Sequence, residues 1–404
     1  MLEPSQAESA LAPQVVVGVP ADPDLLGASE AAVAVQAGLR QAYADQRTLS
    51  VVLSSDPRGA TAPGDLLPSG AGNEPPVVLA ASNSPAGALP ALVELANNLG
   101  APACALLAPM PRPAEAGWLR ALLDPVLSGG FDLVAPAYAR GRFDGVLVTG
   151  IVYPLTRSLF GYRLRQPIGS EIVVSARLGE VLLRDDAWRN ATPGGGDLWA
   201  ITLAIAGDGR IAQVYLGPRP RRRAQPSDVS SALAQVLATV FREMEQLAHR
   251  WMRVRGSQPV ATFGEERPPD EPAPPPEPGP LVSAFALGWQ DLRRLWSEVL
   301  PPQTLLALQR IPREPAEAFR MPDWLWARIV YDFAVGWRVK AMDREQLLRS
   351  LTPLYLGWVA GFVNEVAPLT PPEAEARVEQ LCAVFEAEKP YIISRWRWPD
   401  RFSP

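Results

Sequence analysis

The sequence predicts an α/β protein with a mostly parallel sheet flanked by helices, followed by a separate α-helical domain. Three observations carry this. Between residues 14 and 216, short apolar β-branched runs alternate with helical stretches, the order that gives parallel sheets. Residues 267–280 (RPPDEPAPPPEPGP) are acidic and proline-rich, a composition that extends as a polyproline linker. From residue 281 onward apolar and aromatic residues recur at helical spacing. The expected division is 1–264 for the α/β domain, 265–280 for the linker and 281–404 for the helical domain.

In order, QVVVGVP (14–20) reads as a buried strand closed by Gly and Pro. Residues 30–43 read as a helix and 49–53 as the second strand. A Gly/Pro-punctuated loop then runs to a third strand at 77–81. A helix at 89–99 precedes a fourth strand at 103–107. A helix at 118–127, a strand at 131–136 and a mixed helix at 148–160 follow. Residues 199–206 and 211–216 come next, then a long amphipathic helix at 230–253. In the last third Trp289, Trp296, Trp324, Trp326, Tyr331, Phe333 and Trp337 sit at helical spacing, which reads as core. The same helices could also present a homodimer interface.

Composition narrows the function. The 404 residues are 48% hydrophobic and 20% charged, ordinary for a soluble globular chain. A net charge of −5 argues against a basic nucleic-acid binder. The single histidine, His249, and two distant cysteines, Cys104 and Cys382, leave no zinc spacing and no material for Ser-His-Asp catalysis elsewhere. Each cysteine reads as a buried thiol. No membrane-length apolar run or signal-like start is present, so a cytoplasmic protein is expected.

Several segments carry a resemblance. RFDGVLVTGIVYPLTRSLFGYRLRQPIGSEIVVS (142–175) is the most specific; VVVGVP, LGAPACALL, GGGDLWAIT (194–202) and QVYLGPRP (213–220) follow in matching order. MPDWLWARIVYDFAVGWR, LLRSLTPLYLGWVAGFV and FEAEKPYIISRW extend the match into the helical region. Together they resemble GT-A glycosyltransferases of the glucosylglycerate and mannosylglycerate synthase group. The resemblance implies a GT-A fold, a UDP- or GDP-linked glucose or mannose donor, and retaining transfer onto glycerate or a related small acid. It also implies Mg or Mn held by an Asp-x-Asp after the fourth strand and by a later His, where the ion steadies the departing diphosphate.

The resembling pattern breaks at the metal. ACALLAPMPRP places Ala108 and Met110 at the two Asp positions, and neither side chain offers an oxygen ligand. SPAGAL (84–89) lacks the group's Lys, and PRPRRR after Gly217 lacks its His. No metal cofactor is therefore expected. Arg221, Arg222 and Arg223 either replace the ion's charge by gripping phosphate oxygens or form a solvated basic loop.

The retained positions supply the candidate site. Asp56, after the second strand, either accepts a nucleoside hydroxyl or makes a turn before Pro57. Arg112 keeps the group's Arg. Arg140, Arg142 and the Asp144–Gly145 pair lie on the acceptor side by resemblance; surface loop arginines are the alternative. Arg165, Gln166 and Gly169 keep the loop beside the sugar, and Glu171 offers a carboxylate to sugar hydroxyls or acts structurally. Asp197 either stands by the reacting centre or caps a helix. Three functions compete: an impaired or metal-free transferase, a non-catalytic scaffold with a transferase fold, and an interaction module in which the helical domain does the work.

Overall fold

The computed structural model describes residues 12–21, 25–54, 77–80, 88–108, 115–169, 171–185, 196–218, 229–267 and 274–399. In chain order the elements begin with β1 (Val15–Pro20), α1 (Leu25–Ala42), β2 (Thr48–Ser54), β3 (Val77–Ala80), α2 (Leu89–Asn98) and β4 (Ala103–Leu106). Then come α3 (Ala116–Leu127), β5 (Leu133–Ala139), a π-helical turn (Val148–Val152), α4 (Tyr153–Phe160), β6 (Tyr162–Arg163) and β7 (Ile172–Ser175). Next are α5 (Ala176–Arg184), α6 (Gly196–Ala206), β8 (Ile211–Pro218), α7 (Val229–Gln246), α8 (Ala248–Trp251), β9 (Gln258–Pro259) and β10 (Ala261–Phe263). The remaining helices are α9 (Pro278–Trp296), α10 (Pro302–Arg310), α11 (Asp323–Val339), α12 (Arg344–Ser350), α13 (Thr352–Val366), α14 (Pro371–Ala387) and α15 (Lys389–Arg397).

The chain forms two compact units: Met1–Ala139, Gln166–Arg223 and Val260–Arg267 in the first, and Arg140–Arg165, Ala224–Pro259 and Pro268–Pro404 in the second. This differs from the linear division read from sequence. Two excursions from the α/β region, after β5 and after β8, cluster with the C-terminal helices. Of the expected linker, Pro278–Pro280 already forms the first turn of α9, and 268–273 lie outside the described residues.

The first unit holds an eight-stranded sheet in the order β10-β8-β5-β7-β4-β1-β2-β3. All pairings are parallel except those of β7, which runs against β4 and β5. The predicted mixed, mostly parallel sheet is present. Val15, Val16 and Val17 of β1 have no solvent exposure because helices cover both faces, which is why these strands read as unbroken apolar runs. The reversed strand β7 was not anticipated, although IVVS at 172–175 carries a β-branched signal.

Asp132, just before β5, ties down the amino edge of this sheet. Its carboxylate accepts from Arg177 Nε at 2.8 Å, from Ser175 Oγ at 3.2 Å and from the Arg210 backbone N–H at 2.8 Å. One side chain thus fixes the end of β7, the start of α5 and the entry to β8.

The second unit is helical, and its core is aromatic as expected. Trp326 stacks on Trp358 at 5.5 Å, and Trp358 on Phe362 at 5.1 Å. Buried indoles need an acceptor: Trp326 Nε1 donates to the Gly150 carbonyl at 2.8 Å and Trp296 Nε1 to the Ser350 carbonyl at 2.9 Å. Gly150 belongs to the π-helical turn, and a Cβ there would lie 2.1 Å from the Trp358 ring, so only glycine permits this approach. His249 is exposed on the short α8. Cys104 and Cys382 are buried, and burial pushes both thiols up to about 12, as expected of inert core residues. Among the described residues no helix is long and apolar enough to cross a membrane.

Candidate functional site

In parallel sheets, ligands bind beyond the carboxyl ends of the strands. In the first unit that edge is marked by Pro20, Ser54, Leu106, Ala139 and Pro218, the last residues of β1, β2, β4, β5 and β8. The antiparallel β7 starts at this edge, with Ile172 paired to Leu106. Glu171, one residue earlier, is therefore brought beside the end of β4. Ala108 is there too, two residues past the strand, 7% exposed and carrying only a methyl group.

Gln166 is buried and donates from Nε2 to the Tyr138 carbonyl near the end of β5, at 2.7 Å. That bond anchors the loop 166–171 to the same edge. Gly169 packs against Glu171; a Cβ on Gly169 would lie 3.8 Å from the carboxylate. Glu171 itself is 4% exposed.

Asp197 lies in the first turn of α6 and is 8% exposed. α6 delivers the chain to Ile211, which pairs with Leu133 at the amino edge. An eleven-residue helix spans roughly 16 Å, so Asp197 stands about that length of helix away from the amino-edge end of α6. The helix already begins at Gly196, so Asp197 is not the N-cap that the sequence offered as its alternative role; an acid in the first turn instead suits the helix dipole. Trp199 holds the helix by donating to Asp185 at 3.0 Å.

Gln166, Gly169 and Glu171 thus share one edge of the first unit, to which Asp197 also belongs. Arg140, Arg142, Asp144 and Arg165 belong to the second unit, and each is built into its framework. Arg142 Nη1 donates to the carbonyls of Val366, Ala367 and Leu369 at the end of α13, at 3.2 and 2.9 Å for the first two. Arg165 grips Glu375 on α14 with two bonds, 2.7 and 3.1 Å. Asp144 accepts from the Gly141 backbone N–H at 2.9 Å, closing a tight turn. Gly145 follows at φ +62°, and a Cβ would fall 1.9 Å from the Arg140 guanidinium, so the Asp-Gly pair serves this turn. Asp56, Met110, Arg112, Arg221, Arg222 and Arg223 lie outside the described residues.

The described edge does not fit the divalent metal that the resemblance implies. Ala108 supplies no oxygen. Among the described residues no three His, Cys, Asp or Glu side chains are placed to share an ion. What the first unit does hold is two buried carboxylates, Glu171 and Asp197, and the Gln166 amide that ties its loop to Tyr138.

Sequence reasoning missed Asp132 and Arg177, which stand 45 residues apart and meet only through the sheet. It also missed Arg157, buried in α4, which donates to Glu386 at 2.9 Å and Glu379 at 2.5 Å. A cation in the middle of an apolar helix was the available signal.

No protein-family model matches the sequence, and no curated protein matches it. Solved structures do. The chain is similar to glucosyl-3-phosphoglycerate synthase from Mycobacterium tuberculosis in complex with Mn2+, uridine diphosphate and glucosyl-3-phosphoglycerate. The identity is 17% and the TM-score 0.41, over 61% of this chain and 86% of that one. A second complex of the same synthase, with Mn2+, uridine-diphosphate-glucose and phosphoglyceric acid, aligns at 16% identity and TM-score 0.40, over 66% and 95% of the two chains. A mycobacterial protein described only as such aligns at 18% and 0.41, over 61% and 80%.

Proposed function

We propose that the first unit is a nucleotide-sugar site of the glycosyltransferase type in which metal-dependent sugar transfer is absent or severely impaired. One observation carries the second half of this reading: Ala108 stands at the carboxyl end of β4, where the resembling enzymes place the first acid of their metal motif. The sequence block 142–175 supports the first half, together with a sheet edge that holds Gln166 and Glu171. In this reading Gln166 and Glu171 orient sugar hydroxyls, and Asp197 stands nearest the anomeric carbon. The diphosphate loses the charge compensation a metal gives, and removing one such stabiliser costs roughly 3–4 kcal/mol of transition-state energy. Glycerate or a related small acid is the acceptor class by resemblance. The alternative is a scaffold that binds the nucleotide sugar or a protein partner without turnover.

Calorimetric titration with UDP-glucose and GDP-glucose tests the reading, first with manganese and then with EDTA. Saturable binding that changes less than twofold on chelation supports it. Tight binding that requires the metal, or manganese-stimulated release of UDP, would overturn it. A chain that binds neither nucleotide sugar is left with the protein-scaffold alternative.

A further inference from the structure

The second unit contains an open pocket of about 400 Å³ where α11 begins, α13 ends and α14 passes. Its polar wall is Arg320, Asp323, Glu365, Arg377 and Gln380, with Pro322 at the rim. Arg377 is held from two sides: Nη2 donates to Asp323 at 2.7 Å, and Nε donates to Glu365 at 2.7 Å. Its third nitrogen, Nη1, is buried and makes no hydrogen bond. Arg320 is turned onto backbone, donating to the Phe319 carbonyl at 2.8 Å, with Nε 3.8 Å from Glu365. Pro322, the N-cap of α11, gives that helix no side-chain cap.

Charge decides what the pocket fits. Two arginines face two carboxylates, so the wall is neutral, and a bare anion or cation would meet a like charge as readily as an opposite one. Yet every polar wall residue is a planar, bidentate hydrogen-bonding group: two guanidiniums, two carboxylates and an amide. Fixed forks of both donor and acceptor type on a neutral wall match vicinal hydroxyls, each of which donates and accepts. Nη1 of Arg377 is sealed from solvent, so the groups open to a ligand are the outward edges of these side chains. The volume is at the small end of ligand pockets and suits one or two sugar rings.

We propose that this pocket is a binding site for a neutral polyhydroxylated ligand of mono- or disaccharide size, separate from the nucleotide-sugar site of the first unit. It does not depend on that reading, because none of its residues belongs to the first unit.

The test is saturation-transfer NMR and calorimetry on the full chain with glucose, mannose and maltose. Glycerol 3-phosphate and glycine betaine serve as charged and zwitterionic controls. Gln380 is exposed and makes no structural bond among those described, so Gln380→Trp should fill the pocket without unfolding it; Gln380→Ala is the milder partner. The expected result is saturable binding of at least one neutral sugar, weakened tenfold or more by Gln380→Trp, with unchanged melting temperature and unchanged UDP-glucose titration. No sugar binding, equal binding by both variants and the parent, or preference for either charged control would each overturn the proposal. Loss of UDP-glucose binding in the parent chain would count against the proposed function alone.

Discussion

The carboxyl edge of the first unit and the framework of the second use charge in opposite ways. In the first unit, Glu171 before β7 and Asp197 at the start of α6 are buried acids, and the Ala108 methyl group lies two residues past β4. In the second unit, charge is cross-bracing. Arg157 joins α4 to Glu379 and Glu386 of α14, Arg165 joins the chain after β6 to Glu375, and Arg377 joins α14 to Asp323 and Glu365. The acids Glu375, Glu379 and Glu386 recur along one face of α14, at the spacing that lines up side chains on a helix. So the segment most specific for the resemblance, 142–175, serves two ends: its first part locks the helical unit, and only its last part, from Gln166, reaches the candidate site.

The largest effect is expected at the innermost brace. Asp332 is fully buried, accepts from Tyr391 at 2.8 Å and pairs with Arg395, itself 2% exposed, at 3.0 Å. Arg395→Ala strands that carboxylate, and breaking a buried pair from one side costs roughly 3–5 kcal/mol. Chemical denaturation should show this loss, whereas UDP-glucose binding by the folded fraction should be unchanged. The same lock should be pH-sensitive. Burial pushes the Asp332 carboxyl up from its ordinary value to about 7, against the opposing pull of Arg395, Tyr391 and Arg328. The folded state therefore holds this proton more tightly than the unfolded chain does. The stabilisation is complete below about pH 4 and falls as pH rises to about 7, by up to about 1.4 kcal/mol per pH unit. Melting curves of Asp332→Asn should lack this component, and an unchanged pH profile in that variant would refute it.

Much of the fold was legible because its signals are local. The valine runs of β1 and β2 and the aromatic spacing of α11 and α13 state both element and burial. The antiparallel β7 was missed because direction is a tertiary property: IVVS reads the same either way, and only pairing of Leu106 with Ile172 sets it. The tasks of Arg142 and Arg165 were not legible either. A loop arginine beside a recognisable motif looks the same whether it awaits a ligand or a helix end, and the helix ends it meets lie more than 200 residues away.

An intermediate effect is expected at Arg142. Three carbonyls at the end of α13 lose their donor in Arg142→Ala, and exposed alternatives in water limit the cost to about 1–2 kcal/mol. If Arg142 is a helix-end brace, a thermal scan shows this loss and titration with glycerate or 3-phosphoglycerate shows no difference from the parent chain. A variant with its melting temperature intact but its small-acid response abolished would return Arg142 to the acceptor side and erase the contrast between the units.

The smallest effect sharpens the contrast most. Arg165 precedes Gln166 and so marks the point where the chain leaves the helical unit for the site-bearing one. Its bidentate bonds to Glu375 have good geometry, but Glu375 is about half exposed, with 48% of its side chain open to solvent. Screening therefore holds the coupling to about 0.5–1 kcal/mol. A double-mutant cycle of Arg165→Ala and Glu375→Ala, read by denaturation, should return a coupling of that size. The same four proteins titrated with UDP-glucose separate the two roles. If Arg165 only braces, Glu375→Ala and Arg165→Ala leave affinity alike and near the parent value. If Arg165 touches a ligand, Arg165→Ala weakens binding while Glu375→Ala, which frees the guanidinium, preserves or strengthens it.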